Sequence, residues 1–122
     1  MTNKRILIID DSSMARRLIK SSIPKDRGYI IDLAADGDEA IEKAKENLPN
    51  IVFCDYNMPG KNGVEVCLAF KELGLETKFV LVTANLQTAV KKAAYGAGFV
   101  DTVKKPFDKK KMIDCLEEHG LC

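Results

Sequence analysis

Short apolar runs rich in β-branched residues alternate along this chain with stretches of helical period. The runs are residues 5–9 (RILII), 29–34 (YIIDLA), 50–54 (NIVFC), 78–82 (KFVLV) and 99–103 (FVDTV). Their length and composition predict five strands. Between them, Met14, Leu18 and Ile19 share a predicted helical face, as do Ala40, Ile41 and Ala44. Val64, Cys67, Leu68 and Phe70 keep a similar spacing, followed by Ala89, Val90, Ala93 and Ala94, and then by Met112, Ile113 and Leu116. Five strand–helix units in strict alternation imply a parallel sheet with right-handed crossovers and helices on both faces.

The runs differ in a way that orders them. The first, third and fourth are unbroken apolar, as strands covered on both faces must be. The second carries Asp32 and the fifth carries Asp101 and Thr102, which places these two at the sheet edges. Such edges fit a doubly wound (βα)5 α/β domain of the flavodoxin-like type, strand order 2-1-3-4-5, with the full order taken from that known fold. Ligands in such sheets bind beyond the carboxyl ends of the strands, where strands one and three diverge.

The residues that follow each predicted strand carry the chemistry. Asp10 and Asp11 follow the first, Asp55 the third, Thr83 the fourth and Lys105 the fifth. Three carboxylates on one rim call for a cation, and an oxygen-only donor set selects a hard one such as Mg²⁺, which shares its octahedron with water and phosphate. A lysine and a hydroxyl aimed at the same point supply the charge and the hydrogen bond that a phosphoryl group takes. Asp55, on the predicted central strand, is the best-placed nucleophile for an acyl-phosphate route. The competing structural reading is a plain ion-pair network. The acids of AADGDEA (34–40), after the second strand, suit a helix start instead.

Bulk properties narrow the picture further. At 122 residues the chain is read as one domain, 1–122. A net charge of +1 gives no whole-molecule field toward nucleic acid or membrane. No apolar run approaches the roughly 20 residues of a membrane span, and MTNKR opens no signal peptide. Cys54, Cys67, Cys115 and Cys122 show neither CxxC pairing nor an expected histidine partner, His119 being the only histidine, which argues against zinc or a disulfide frame and for a cytoplasmic protein with reduced thiols.

Taken together, the acid pair Asp10–Asp11, Asp55 in the loop running to MPGKNG, Thr83–Ala84, and KPF at residues 105–107 resemble the receiver domain of bacterial response regulators, the CheY-like family, over essentially the whole chain. The resemblance implies a two-component phosphoprotein, not an enzyme acting on other substrates. Asp55 would be phosphorylated by a histidine kinase or phosphotransfer protein. Asp11, Asp55 and the Asn57 carbonyl would hold Mg²⁺, with Asp10 acting largely through water. Thr83 and the amides near Asn57 and Ala84 would bind phosphoryl oxygens, Lys105 would pair with the phosphoryl charge, and Lys105–Pro106 would be a cis peptide. The family often has an aromatic switch residue three positions before the lysine; here that position is Thr102.

Asn57 and Asn85 occupy variable positions beside the site, and both amides can orient an attacking water, which implies a phosphoryl bond that is not exceptionally long-lived. No output domain is expected to follow, so a monomer would signal through helix 4, strand 5 and helix 5, in a chemotaxis-like output or a phosphorelay. Lys91, Tyr95, Lys104 and Lys111 mark this face, which is either simply solvated or shaped for an acidic protein partner. Its few aromatics argue against nucleic acid. Exposed apolar residues of the first helix, such as Met14, are an alternative contact for a kinase-side helical bundle. Two other readings are a phosphorylation-independent interaction module and an aspartate-nucleophile phosphatase. The latter wants a second acid two residues after the nucleophile, where this chain has Asn57.

Overall fold

The computed structural model describes residues 3–121. Met1, Thr2 and Cys122 lie outside the described residues, and with them the reading of the amino terminus and the expected reduced thiol of Cys122. The elements are β1 (Arg5–Ile9), α1 (Ser13–Ser21), β2 (Ile30–Ala34), α2 (Gly37–Glu46), β3 (Ile51–Cys54), α3 (Gly63–Glu72), β4 (Lys78–Thr83), α4 (Thr88–Ala97), β5 (Asp101–Lys104) and α5 (Lys109–Glu118). A single 3-10 turn at Lys25–Arg27 links α1 to β2. All four strand pairings are parallel, and the order is β2-β1-β3-β4-β5. The polar second and fifth runs are therefore the edges.

Alternation along the inner strands feeds two cores. Leu7, Ile9, Val52, Cys54, Phe79 and Leu81 pack with residues of α2, α3 and α4, among them Ala40, Val66, Phe70 and Ala94. Ile6, Ile8, Ile51, Phe53, Val80 and Val82 pack on the other face with Ile19 of α1 and Met112, Cys115 and Leu116 of α5. Phe79 stands edge-to-face between Phe70 and Phe99, at centroid distances of 4.9 and 5.3 Å, the favoured geometry for aromatic pairs.

The helical faces differ from their sequence expectation in a regular way. Met14 and Leu18 are 69% and 60% exposed, and only Ile19 of that trio is buried. In α1 the inward face is held by Ile19, buried, with half-buried Ala15 one turn before it and the buried cap residue Ser22 after it, which leaves Met14 and Leu18 beside that row. In α3 the stripe is Gly63, Val66, Cys67 and Phe70, and Leu68 faces out. In α4 it is Val90, Ala94 and Ala97, with Ala89 and Ala93 exposed. The side chain of Asp36 caps α2 by accepting from the Glu39 N–H at 2.8 Å. Among the described residues, no helix is long and apolar enough to cross a membrane.

Candidate functional site

Three site residues stand one step beyond the sheet ladder, each tied by its own amide to the neighbouring strand. The Asp10 N–H donates to Ala34 O (3.1 Å), the Asp55 N–H to Ile9 O (3.0 Å) and the Lys105 N–H to Thr83 O (3.0 Å). The pleat then decides which way each side chain leaves the sheet. Thr83 is the last residue of β4 and is 1% exposed. Residues far apart in sequence thus meet at the carboxyl ends of β1, β3, β4 and β5.

Asp10 is 1% exposed, so both of its carboxylate oxygens need partners. Oδ1 accepts from the Ser12 N–H at 3.0 Å, and Oδ2 accepts from Lys105 Nζ at 2.7 Å. Arg16 Nη1 donates to the Asp10 backbone carbonyl at 2.6 Å, which fixes the first turn of α1 against the rim. That turn is capped by Ser12, whose side chain accepts from the Ala15 N–H. Asp11 is exposed. Asp55 Oδ1 accepts from the Tyr56 N–H at 2.8 Å, and Oδ2 lies 3.7 Å from Lys105 Nζ. Oxygens of Asp10, Asp11 and Asp55 all lie within 4.8 Å of one another.

Three carboxylates against one ammonium leave two uncompensated negative charges at this point. Two like charges about 4 Å apart repel by about 4 kcal/mol at an effective dielectric of about 20. The cluster therefore favours a divalent cation, and its all-oxygen donors fit Mg²⁺. Asn57 is exposed in the loop after β3, and Asn85 is half-buried with its N–H donating to Thr83 Oγ1 at 3.2 Å. Ala84 is exposed beside them, and the Lys105–Pro106 peptide is cis. Thr102 is not on the rim: it pairs with Leu81, two positions below the Thr83–Lys104 pair. Its hydroxyl lies 3.5 Å from Tyr95 Oη.

Gly63 and Arg16 are site residues that strand-end reasoning passes over. A Cβ on Gly63 would lie 2.4 Å from the Asp55 carbonyl oxygen. Only glycine lets α3 start against the loop that follows Asp55, where the Gly63 N–H donates to Tyr56 O at 2.9 Å. The signal available in sequence was the glycine of KNG (61–63). Gly63→Ala should cost about 2 kcal/mol through overpacking against backbone that cannot yield, lowering Tm by about 8 °C. Thermal denaturation checks this, and an unchanged Tm would refute the close approach. The thiols are not reactive partners here. Burial, then the Asp55 charge, pushes the Cys54 thiol well up, and burial raises Cys67 as well.

The fold and this rim define a flavodoxin-like α/β domain of the CheY type, with an acidic, cation-seeking cluster at its topological switch point. The family model of the response regulator receiver domain matches residues 6–117, and the chain belongs to that family. It is 33% identical over 115 residues to the chemotaxis protein CheY of Thermotoga maritima, covering 94% of this chain and 96% of that one. To the transcriptional regulatory protein ResD of Bacillus subtilis it is 34% identical over 109 residues, covering 89% of this chain but 45% of the relative. The chain thus spans nearly all of a CheY and about half of a transcriptional regulator. Among solved structures, chemotaxis protein CheY4 of Vibrio cholerae superposes with a TM-score of 0.88 at 26% identity, covering 96% of this chain and 98% of that one.

Proposed function

We propose that Asp55 accepts a phosphoryl group from the phosphohistidine of a histidine kinase or phosphotransfer protein, and that the modified domain signals by changed protein–protein binding. The observation that carries this reading is the convergence at Asp55: a carboxylate at the end of the central strand, Lys105 Nζ at 3.7 Å, and two further carboxylates within 4.8 Å. An Asp55 oxygen forms a bond to phosphorus as the P–N bond to histidine breaks, and the imidazole keeps the electron pair. Lys105 offsets charge on the phosphoryl oxygens, and the Thr83 hydroxyl donates to one of them. Asp11, Asp55 and the Asn57 carbonyl are the ligands for Mg²⁺, which when bound neutralises charge on the transferring group. Asp10, already held by Ser12 and Lys105, acts from outside that shell. The domain turns over only its own phosphoryl group.

The donor side is supported by an apolar groove of about 490 Å³ between α1 and the segment after β5. Leu18 and Ile19 line it, together with Ala84, Lys105, Pro106 and Phe107. A donor helix seated there lies beside the rim, with exposed Met14 adjacent. On the output side, Tyr95 on α4 touches Thr102 on β5, so a hydroxyl pair stands at the position where the family often has an aromatic residue. Unpaired Cys54, Cys67 and Cys115 support a reducing, cytoplasmic setting.

Incubation with acetyl phosphate and Mg²⁺, read by intact mass, tests the reading. One acid-stable, base-labile phosphoryl group per chain is expected, and none after chelation. A wild-type chain that gains nothing overturns it. Asn57 and Asn85 tune hydrolysis of the acyl phosphate, so Asn57→Arg or Asn85→Tyr should change its lifetime. Unchanged decay in both variants would remove these amides from the mechanism.

A further inference from the structure

At the end of β5 opposite Lys105, three chemically different donors meet. Asp101 opens the strand, while Cys115 lies in α5 and His119 stands one turn further on, at the helix cap. An i, i+4 pair on one helix presents both side chains to the same side. His119 Nε2 lies 3.1 Å from Asp101 Oδ2, and Cys115 Sγ lies 3.8 Å from the same oxygen. All three donor atoms fall within 4.8 Å of one another. The second oxygen of Asp101 accepts from the Thr102 N–H at 2.8 Å, which sets the carboxylate plane and turns Oδ2 toward α5. The sequence expectation that no histidine partners a cysteine therefore fails at this corner of the fold.

We propose that Asp101, Cys115 and His119 form a binding site for one zinc-like divalent cation, separate from the acidic rim and independent of the phosphorylation reading. Bonds of about 2.0–2.3 Å from a tetrahedral ion put its ligands about 3.3–3.6 Å apart. The two separations to Asp101, 3.1 and 3.8 Å, bracket that edge, and the Cys115–His119 separation, within 4.8 Å, closes to it by side-chain rotation. One sulfur, one nitrogen and one oxygen suit a borderline ion such as Zn²⁺, whereas the all-oxygen rim suits Mg²⁺, so donor chemistry sorts the two cations between the two sites. Cys115 is held in place by the core, and its S–H points at the same Asp101 oxygen that faces His119, so the three donors converge before any ion is bound. Cys115 is 2% exposed, while the His119 and Asp101 side chains are 14% and 23% exposed, which leaves one open side for a water as fourth ligand. On binding, the Cys115 S–H bond breaks, its proton passes to solvent and the thiolate bonds the cation. His119 binds through Nε2 as neutral imidazole, with its proton on Nδ1. The bound ion clamps α5 to β5.

The test is titration of the full chain with Co²⁺ in saturating Mg²⁺, followed by Zn²⁺. The site is expected to take one Co²⁺ per chain, with a thiolate-to-cobalt charge-transfer band that Zn²⁺ bleaches. Cys115→Ser should abolish the band. Asp101→Asn and His119→Gln, each altering a direct ligand, should weaken binding by at least about 100-fold, the upper end for loss of an outer-shell partner. His119 is the cap residue of α5, and an unchanged circular dichroism spectrum and Tm of His119→Gln without metal makes its loss of affinity read ligation and not unfolding. Cys122→Ser and the rim variant Asp11→Asn/Asp55→Asn should keep the band. No band in the wild type, a band that survives Cys115→Ser, or a band lost with Cys122 or with the rim pair overturns the assignment.

Discussion

Asp55→Asn loses phosphoryl uptake from acetyl phosphate entirely, with no loss of folding stability. The amide is nearly isosteric and its oxygen still accepts from the Tyr56 N–H, the bond that Asp55 Oδ1 makes at 2.8 Å. What disappears is the anionic oxygen that faces Lys105, and with it the nucleophile. Removing one of three clustered negative charges also relieves repulsion, so Tm measured in chelator should hold or rise. Neither neighbour can substitute. Asp10 is 1% exposed with both oxygens engaged, and Asp11, exposed before α1, is on the proposed reading a ligand for the cation. Asp11→Ala therefore keeps the nucleophile and should still take up almost nothing at ordinary Mg²⁺. Intact mass decides both. Normal labelling of Asp55→Asn would move the acceptor elsewhere, and normal labelling of Asp11→Ala would refute its role as a ligand.

The physical origin of each feature governs how far the sequence revealed it. Sheet edges were readable because Asp32, Asp101 and Thr102 sit in otherwise apolar runs, and an edge strand is what tolerates them. Rim residues were readable because a parallel sheet collects strand ends, so Asp10, Asp55, Thr83 and Lys105 needed only the correct strands. Helix faces were less legible. One residue of rotation separates half-buried Ala15 and buried Ile19 from exposed Met14 and Leu18, and hydrophobicity alone favours the larger side chains. Gly63 escaped because its role is the absence of an atom near the Asp55 carbonyl. Of the Asp101–Cys115–His119 group, the i, i+4 spacing of Cys115 and His119 stood in the sequence, whereas Asp101 joins them only through the packing of α5 on β5.

Lys105→Ala should be the most destabilising single change at the rim in the absence of divalent cation, and its effect should depend on Mg²⁺. Lys105 Nζ lies 2.7 Å from Asp10 Oδ2 and 3.7 Å from Asp55 Oδ2, and among the described residues it is the ammonium that pairs with two of the three rim carboxylates. Truncating it leaves Asp10, 1% exposed, as a buried charge without its counterion. Breaking a buried pair costs about 3–5 kcal/mol. The Lys105 side chain is 24% exposed and the Ser12 N–H still holds Asp10 Oδ1, so the lower end, about 3 kcal/mol, applies. For a chain of this size that is a fall in Tm of about 12 °C. Mg²⁺ stabilises the folded state by mass action, and the more negative variant site gains more from it, so the gap to wild type should narrow as Mg²⁺ is added. A role for Lys105 in packing alone predicts a gap that Mg²⁺ does not move. The double variant Asp10→Asn/Lys105→Ala separates the two further. If the cost is an orphaned charge, removing that charge restores most of the lost stability, and the two changes are strongly non-additive. Additive losses, or a Lys105→Ala chain as stable as wild type in chelator, would show that the rim does not depend on this ion pair.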